Sequence, residues 1–188
     1  MGMVVWVLTR GRCAGMTLIE VLCVLALTGV SAAAAMSRFD AAIRAAHVRS
    51  AADALAWDLR SARAEAVLRG QRVSVCASAD GVRCGGPWGL GWIVFEDASG
   101  RGQPEPGHGT LQTRGAWRGV HVQTAATVRA VVSYSAEGWP RQPQGALQMG
   151  HFVFCAGTGT GRRVVLSASG RVRVETGLES GACGFSAG

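Results

Sequence analysis

The spacing of apolar residues divides the chain into a helical first part and a strand-rich second part. Residues 16–36 are predominantly apolar and contain one charged side chain, Glu20. A helix of that length spans about 31 Å, which matches the hydrocarbon core of a bilayer. We therefore predict that residues 16–36 form the transmembrane half of an N-terminal helix.

The helical pattern continues beyond the apolar run. Residues 30–69 contain no glycine or proline and are rich in alanine, leucine and arginine, which are strong helix formers. Small and apolar side chains recur every three or four positions, at Ala41, Ala45, Val48, Ala52, Leu55, Leu59, Ala62 and Ala66. This stripe predicts an amphipathic half over residues 37–70 that ends at Gly70. A coiled coil is the alternative, although such small side chains suit a sheet packed against them better.

After Gly70 the helical period gives way to an alternating one, and turn residues become frequent. The alternation predicts short strands at Arg72–Ala77, Gly91–Glu96, Val120–Thr124, Val128–Ser135, Gly150–Ala156, Arg163–Ala168 and Arg171–Glu175. Strands that follow one another behind a single helix predict an α+β fold. We expect residues 71–188 to form a head of antiparallel sheet that covers the helical stripe.

Residues 1–15 precede the apolar run and include Arg10 and Arg12. Basic residues on this side place the N-terminal end of a membrane helix in the cytoplasm, so the head is expected in the periplasm. A conventional secretory signal is cleaved after its apolar core. Here the candidate cleavage site follows Gly15, before the apolar run. We therefore predict that residues 1–15 are a leader and that the run stays on the mature chain.

Glu20 is an unusual residue for a membrane helix, because an ionised side chain there costs a few kcal/mol. A free α-amino group on Met16 would supply the opposite charge if the chain were cut after Gly15. The alternative is a simple membrane anchor with an incidental glutamate. The cost of the charge favours a glutamate that has a partner.

The segment Gly15-Met16-Thr17-Leu18-Ile19-Glu20 resembles the processing signature of type IV pilins and pseudopilins. The resemblance implies that a prepilin peptidase cuts after Gly15 and methylates the new N-terminus, Met16. Methionine stands here in place of the usual phenylalanine. The resemblance also implies that Glu20 pairs with an N-terminal amine during filament assembly.

The head carries a more specific resemblance. Three motifs follow one another along the chain: Ser61-x-Arg63-x-Glu65-Ala66, Arg69-x-x-Arg72-Val73 and Trp88-Gly-x-Gly-Trp92. A cysteine-containing hairpin lies between the second motif and the third. This order is similar to the GspH/FimT family of minor pseudopilins, which includes FimT minor pilins and the H pseudopilin of type II secretion. The resemblance implies a type IV pilin-like fold in a single-pass inner-membrane protein. It also implies three partners: other pilin or pseudopilin subunits, the prepilin peptidase and the inner membrane.

The chain is basic, with 19 basic and 12 acidic residues, a net charge of +7 and no lysine. The exclusive use of arginine as the basic residue is typical of proteins encoded by a genome of biased base composition, and it is also typical of phosphate-binding proteins. The charge permits a polyanion partner without demonstrating one.

Gly170-Arg171-Val172-Arg173 is the candidate binding motif. Alternation along a strand would place Arg171 and Arg173 on one face, about 7 Å apart, which is near the phosphate spacing of a nucleic acid. Arg162 and Arg163 could extend the patch. The motif resembles the DNA-contacting motif of FimT proteins and so implies non-specific contact with double-stranded DNA. The alternative is a solvent-facing strand end whose arginines pair with Glu175 or Glu179.

Four cysteines of the head are disulfide candidates: Cys76, Cys84, Cys155 and Cys183. An even number suits two disulfides in an oxidising compartment, and four cysteines allow three pairings. The spacing favours Cys76–Cys84 across a short turn and Cys155–Cys183 at the C-terminal tail. A zinc site is the alternative, but no Cys-x-x-Cys pair supports it.

No arrangement of nucleophile, base and orienting group is evident along the chain, so we expect no enzyme, no cofactor and no metal. Three functional hypotheses remain. The first is a FimT-like minor pilin of a type IV pilus that contacts DNA. The second is an H-type pseudopilin of type II secretion, and the third is a membrane-tethered periplasmic binding module that does not polymerise.

Overall fold

This computed structural model describes residues 16–105, 109–157, 160–178 and 183, without the side chains of residues 32–38 and 160. The predicted leader, residues 1–15, lies outside the described residues. The chain divides into two compact units, Met1–Asp40 and Ala41–Gly188. Within the described residues, no helix combines the length and the apolarity that a membrane crossing requires.

Helix α1 extends from Leu18 to Arg69. Glu20 lies in its first turn, where a carboxylate interacts favourably with the free backbone N–H groups and the helix dipole. The helix ends where the sequence predicts, because Gly70 adopts a left-handed φ of +61° that costs glycine little.

The predicted stripe of α1 is buried from Val48 onward, and Leu55 and Leu59 are fully inaccessible. The first two positions of the stripe differ from the prediction, because Ala41 is exposed and Ala45 is only half-buried. A groove of about 470 Å³ opens beside Ala45, and its other side is lined by Gly161, Arg162, Thr176 and Gly177.

The head contains two four-stranded antiparallel sheets, as predicted for an α+β fold. The first has the order β3-β2-β1-β5, and its strands are β1 Val73–Ala77, β2 Gly91–Glu96, β3 Thr110–Gly115 and β5 Val131–Tyr134. The second has the order β4-β6-β7-β8, and its strands are β4 His121–Thr124, β6 Gly150–Ala156, β7 Thr160–Leu166 and β8 Val172–Glu175.

The predicted strands at Gly91–Glu96 and Gly150–Ala156 have the predicted bounds. Strand β3, Thr110–Gly115, was not predicted. An edge strand buries little apolar surface, and this one contains one large apolar residue, so its sequence shows no alternation of apolar and polar positions. The prediction for Val128–Ser135 was too long, since Ala126–Val128 forms a 3-10 turn before β5 begins.

The core lies between α1 and the inner faces of the two sheets. Trp92 and Val94 from the first sheet, and Phe152 and Phe154 from the second, are buried in one cluster with the stripe of α1. Burial of one such large side chain stabilises the fold by about 1.5–3 kcal/mol. The small residues of the stripe allow both sheets to approach the helix backbone closely.

Two disulfides constrain the head: Cys76–Cys84 and Cys155–Cys183. This is the pairing that the spacing favours. The first closes the loop that follows β1. The second fixes the C-terminal tail against the outer face of β6, where Val153 and Leu178 pack around it.

Candidate nucleic-acid interface

The candidate motif begins in a tight turn between β7 and β8. The Gly170 N–H donates to the carbonyl oxygen of Ser167 over 2.9 Å, and the Arg171 N–H donates to the Ser167 hydroxyl over 3.1 Å. Gly170 has a φ of +78°, and a Cβ there would lie 3.0 Å from the carbonyl oxygen of Gly138. Both the positive φ and the lack of room for a side chain therefore require glycine at this position. The turn places Arg171 in an exposed position at the start of β8.

The register between β7 and β8 determines which side chains share a face. Arg163 is opposite Glu175, and Val165 is opposite Arg173. Val172 and Val174 contribute to the core on the other face. Because side chains alternate along a strand, Arg163, Arg173 and Glu175 lie together on the outer face of the second sheet.

The charges on this outer face are partly compensated. The Arg173 Nε lies 2.8 Å from Glu175 Oε1, and an Arg163 terminal nitrogen lies 3.7 Å from Glu175 Oε2. The Arg173 side chain is nevertheless 59% exposed. Glu175 is thus shared by two arginines, which leaves a positive surplus.

Arg162 does not join these arginines. It lies on the opposite face of β7, with a terminal nitrogen 3.8 Å from Asp53 Oδ1 of α1, and only 25% of its side chain is exposed. The expected extension of the patch therefore consists of Arg163 alone. Neighbouring residues of a strand point to opposite faces, so Arg162 and Arg163 could not both join the patch.

Two arginines of α1, which the sequence interpretation did not include in the site, lie beside the turn. An Arg60 terminal nitrogen donates to the carbonyl oxygen of Val172 over 3.0 Å. The Arg63 guanidinium is 3.3 Å from the position of a Cβ on Gly170 and 3.2 Å from that of a Cβ on Gly138. Their spacing of three positions was visible in the sequence, but their proximity to β8 was not.

Comparison with known proteins places the chain in a family. The family described as type II transport protein GspH matches residues 51–170, which is well over half of the chain. The chain belongs to the GspH family. A second match, to the prokaryotic N-terminal methylation motif, covers residues 10–36. No curated protein matches the sequence.

Solved structures agree with this GspH-family assignment at the level of the fold. Two crystal forms of the type IV minor pilin FimU from Pseudomonas aeruginosa (strain PAO1) are similar, each with a TM-score of 0.51 and 24% sequence identity. Each alignment covers 68% of this chain and 87% or 91% of the FimU chain. The GspH-family protein therefore has the type IV pilin fold. Its family match and its N-terminal methylation motif identify it as a minor pilin or pseudopilin, a class of protein that assembles with other pilin subunits.

The residues that carry the family resemblance in the head are mainly structural. Trp92 is buried and donates its indole N–H to Asp58 Oδ2 over 2.8 Å. Trp88 is also buried and donates to the carbonyl oxygen of Arg129. Of the predicted processing and assembly residues in this GspH-family chain, Met16 and Glu20 lie at the start of the described region, and Gly15 lies outside it.

Proposed function

We propose that this GspH-family protein is a FimT-like minor subunit of a type IV pilus and binds duplex DNA through Arg171 and Arg173. The observation that carries the proposal is the Arg171 side chain. It is exposed beside the β7–β8 turn and has no hydrogen-bond or ion-pair partner among the described residues. Arg173 follows two positions later, which is the spacing of side chains on one strand face.

Phosphate recognition by these arginines requires no base contact. Contacts of this kind position a protein on the duplex without reading its sequence, and they weaken steeply as salt is added. Arg171 has no competing carboxylate among the described residues, whereas Arg173 must exchange Glu175 for a phosphate. We therefore expect non-specific binding in which Arg171 contributes more than Arg173.

The full-length protein in neutral detergent can be titrated with a short fluorescent duplex at two salt concentrations. Replacement of both residues (R171A with R173A) is expected to lower the affinity about tenfold. The salt slope, which is the slope of the logarithm of the affinity against the logarithm of the salt concentration, should decrease in magnitude by about 2, because each lost phosphate contact lowers it by about 0.9. The matched control is R44A with R49A, which removes the same charge from exposed positions of α1. Binding that both double variants weaken equally, or that neither weakens, would contradict the proposal.

A third variant tests the part that Glu175 plays. Glu175→Gln releases both Arg163 and Arg173 from their ion pairs, so tighter DNA binding is expected. An unchanged affinity would mean that Arg173 and Arg163 do not contact the phosphates.

The proposal includes the processing and placement of the N-terminal part. A prepilin peptidase would remove residues 1–15 after Gly15 and methylate Met16, and Glu20 would pair with an N-terminal amine on assembly. Residues 16–36 would cross the inner membrane once, and residues 37–70 would pack beneath a periplasmic head, residues 71–188. The match of residues 10–36 to the N-terminal methylation motif supports this part.

A second candidate function is that of an H-type pseudopilin in the type II secretion pseudopilus. The description of the matching family, type II transport protein GspH, favours it. In this case the head would contact other minor pseudopilins, and substitution of Arg171 and Arg173 would leave DNA affinity at the level of the control variant. A membrane-tethered module that does not polymerise would instead retain residues 1–15 and tolerate Glu20→Ala.

A further inference from the structure

The turn after β5 and the turn before β8 meet above α1. The two turns, residues 135–139 and 167–171, form what we call the glycine junction. Their contact is direct, because a Cβ on Gly170 would lie 3.0 Å from the Gly138 carbonyl oxygen. Both glycines have a φ of +78° and both are buried. Strands β5 and β8 are edge strands, so the junction lies where the two sheets of the head adjoin.

Arg63 of α1 lies against the glycine junction. Its guanidinium Cζ is 3.3 Å from the position of a Cβ on Gly170, and its Nε is 3.2 Å from that of a Cβ on Gly138. The residue is half-buried, yet within the described part of the chain its guanidinium makes no hydrogen bond or ion pair. A guanidinium has five N–H donors and is always charged, so a half-buried one without an acceptor favours an anion from outside.

Tyr134 is a second polar residue in the surroundings of Arg63. Tyr134 is fully buried, and its hydroxyl has no hydrogen-bond partner among the described residues. Burial raises the pKa of the Tyr134 phenol, and the charges of Arg63 and Arg60 oppose that rise. The phenol therefore stays protonated, and its hydroxyl is a buried donor without an acceptor among the described residues.

The acidic groups near the glycine junction that the structure describes do not pair with Arg63. Glu65 pairs with Arg69 at 2.7 Å, and Glu175 pairs with Arg173 and Arg163. Glu137, in the glycine junction itself, is exposed and makes no ion pair with Arg63. No carboxylate among the described residues therefore compensates the charge of Arg63.

We infer that Arg63 is a half-buried phosphate contact that acts together with Arg171 at the glycine junction. Arg171 directly follows Gly170, against which the Arg63 guanidinium packs, so both arginines belong to the glycine junction. One phosphate of a duplex could then accept hydrogen bonds from the exposed Arg171 and from the half-buried Arg63. Bidentate geometry and low hydration make arginine suited to that role. The inference rests on the proposed DNA-binding function.

The first test compares Arg63→Gln with Arg49→Gln, which removes one charge from an exposed position of the same helix. In the duplex titration with the full-length protein, Arg63→Gln is expected to lower the affinity about fivefold to tenfold and the salt slope by about 1. Arg49→Gln should have a much smaller effect. Arg63→Lys keeps the charge but loses the planar fork, so an intermediate affinity with an unchanged salt slope is expected.

The outcomes separate the inference from the function on which it rests. If R171A with R173A weakens binding while Arg63→Gln behaves like Arg49→Gln, the inference fails and the proposed function stands. If no arginine variant weakens binding more than its control, both fail.

A measurement on the unaltered protein remains decisive if Arg63→Gln unfolds. The Nε–Hε resonance of Arg63, assigned through Arg63→Lys, should shift and become protected from solvent exchange as duplex is added. The Arg49 resonance should change little. An Arg63 resonance that stays constant at saturating duplex would overturn the inference.

Discussion

At the residue scale, the most consequential polar group of the core is Asp58 of α1. It is 1% exposed and accepts hydrogen bonds from the Trp92 indole at 2.8 Å and from Arg114 at 3.0 and 3.1 Å. The hydrogen bond with Asp58 raises the pKa of the Arg114 guanidinium, so Arg114 keeps its charge. Trp117 stacks on Trp92 with ring centroids 4.9 Å apart. Asp58 thereby connects the helix to β2 and to the edge strand β3.

Loss of Asp58 should therefore destabilise the head strongly. Asp58→Ala leaves Arg114 without its carboxylate in a partly desolvated position, so we expect a loss of about 3–5 kcal/mol in the free energy of unfolding. The control is Asp53→Ala, which removes a half-exposed carboxylate of the same helix that forms only long ion pairs with Arg49 and Arg162. This change should lower the free energy of unfolding by about 0–1 kcal/mol. Urea unfolding followed by tryptophan fluorescence measures both. Equal effects would contradict the buried role assigned to Asp58.

At the element scale, the two disulfides close loops of very different length. Cys76 and Cys84 are separated by 8 positions, whereas Cys155 and Cys183 are separated by 28. The shorter loop has further support, because Asp80 accepts hydrogen bonds from the N–H groups of Val82 and Arg83. These hydrogen bonds also lower the pKa of Asp80. The tail beyond β8 depends more on its disulfide.

The stability of the two disulfide variants should differ accordingly. Removal of the Cys155–Cys183 bond by double serine substitution is expected to cost about 1 kcal/mol more than removal of Cys76–Cys84, because the longer loop gains more entropy in the unfolded chain. Thermal unfolding of the two variants and the unaltered protein, under identical conditions, tests this order. The reverse order would show that folded-state contacts of the first loop outweigh the entropy difference.

At the scale of the whole molecule, the GspH-family protein combines an N-terminal helix with a head that carries its own core. All the buried apolar residues of the described chain lie at or beyond Val48. In the N-terminal unit the described apolar side chains, such as Leu18 at 81% and Val30 at 72%, are exposed. Such a surface is costly in water, which agrees with a subunit that inserts this part into a membrane or a filament.

Processing and assembly provide the corresponding prediction. Intact mass spectrometry of the protein from cells that contain prepilin peptidase should show a chain that begins at methylated Met16. Glu20→Ala should leave that cleavage intact but strongly reduce the fraction found in sheared filaments, because the variant cannot form the proposed charge pair with an N-terminal amine. A mature protein that retains residues 1–15, or a Glu20→Ala protein that assembles normally, would contradict the assembly role.

The features that the sequence predicted well are local ones. The end of α1 at Gly70 follows from a helical period and a glycine that tolerates a positive φ. Strands β2 and β6 follow from short apolar runs between turn residues. Spacing along the chain favoured the observed disulfide pairing among the three possible ones. The helix end and the two strands depend on residues that are close together in sequence, so they need no knowledge of distant contacts.

Tertiary structure decided everything that depends on distant partners. The edge strand β3 exists because β2 offers it an unpaired edge, and its own sequence has little alternation. Arg162 and Arg163 are neighbours, yet Asp53 and Glu175 hold them on opposite faces of β7. The contact of Arg60 with Val172 joins residues 112 positions apart. The sequence by itself determined the helix, the strand-rich head and the arginine motif. Only the packing of the two sheets against α1 placed Arg63 beside that motif, because such contacts depend on how distant segments pack together.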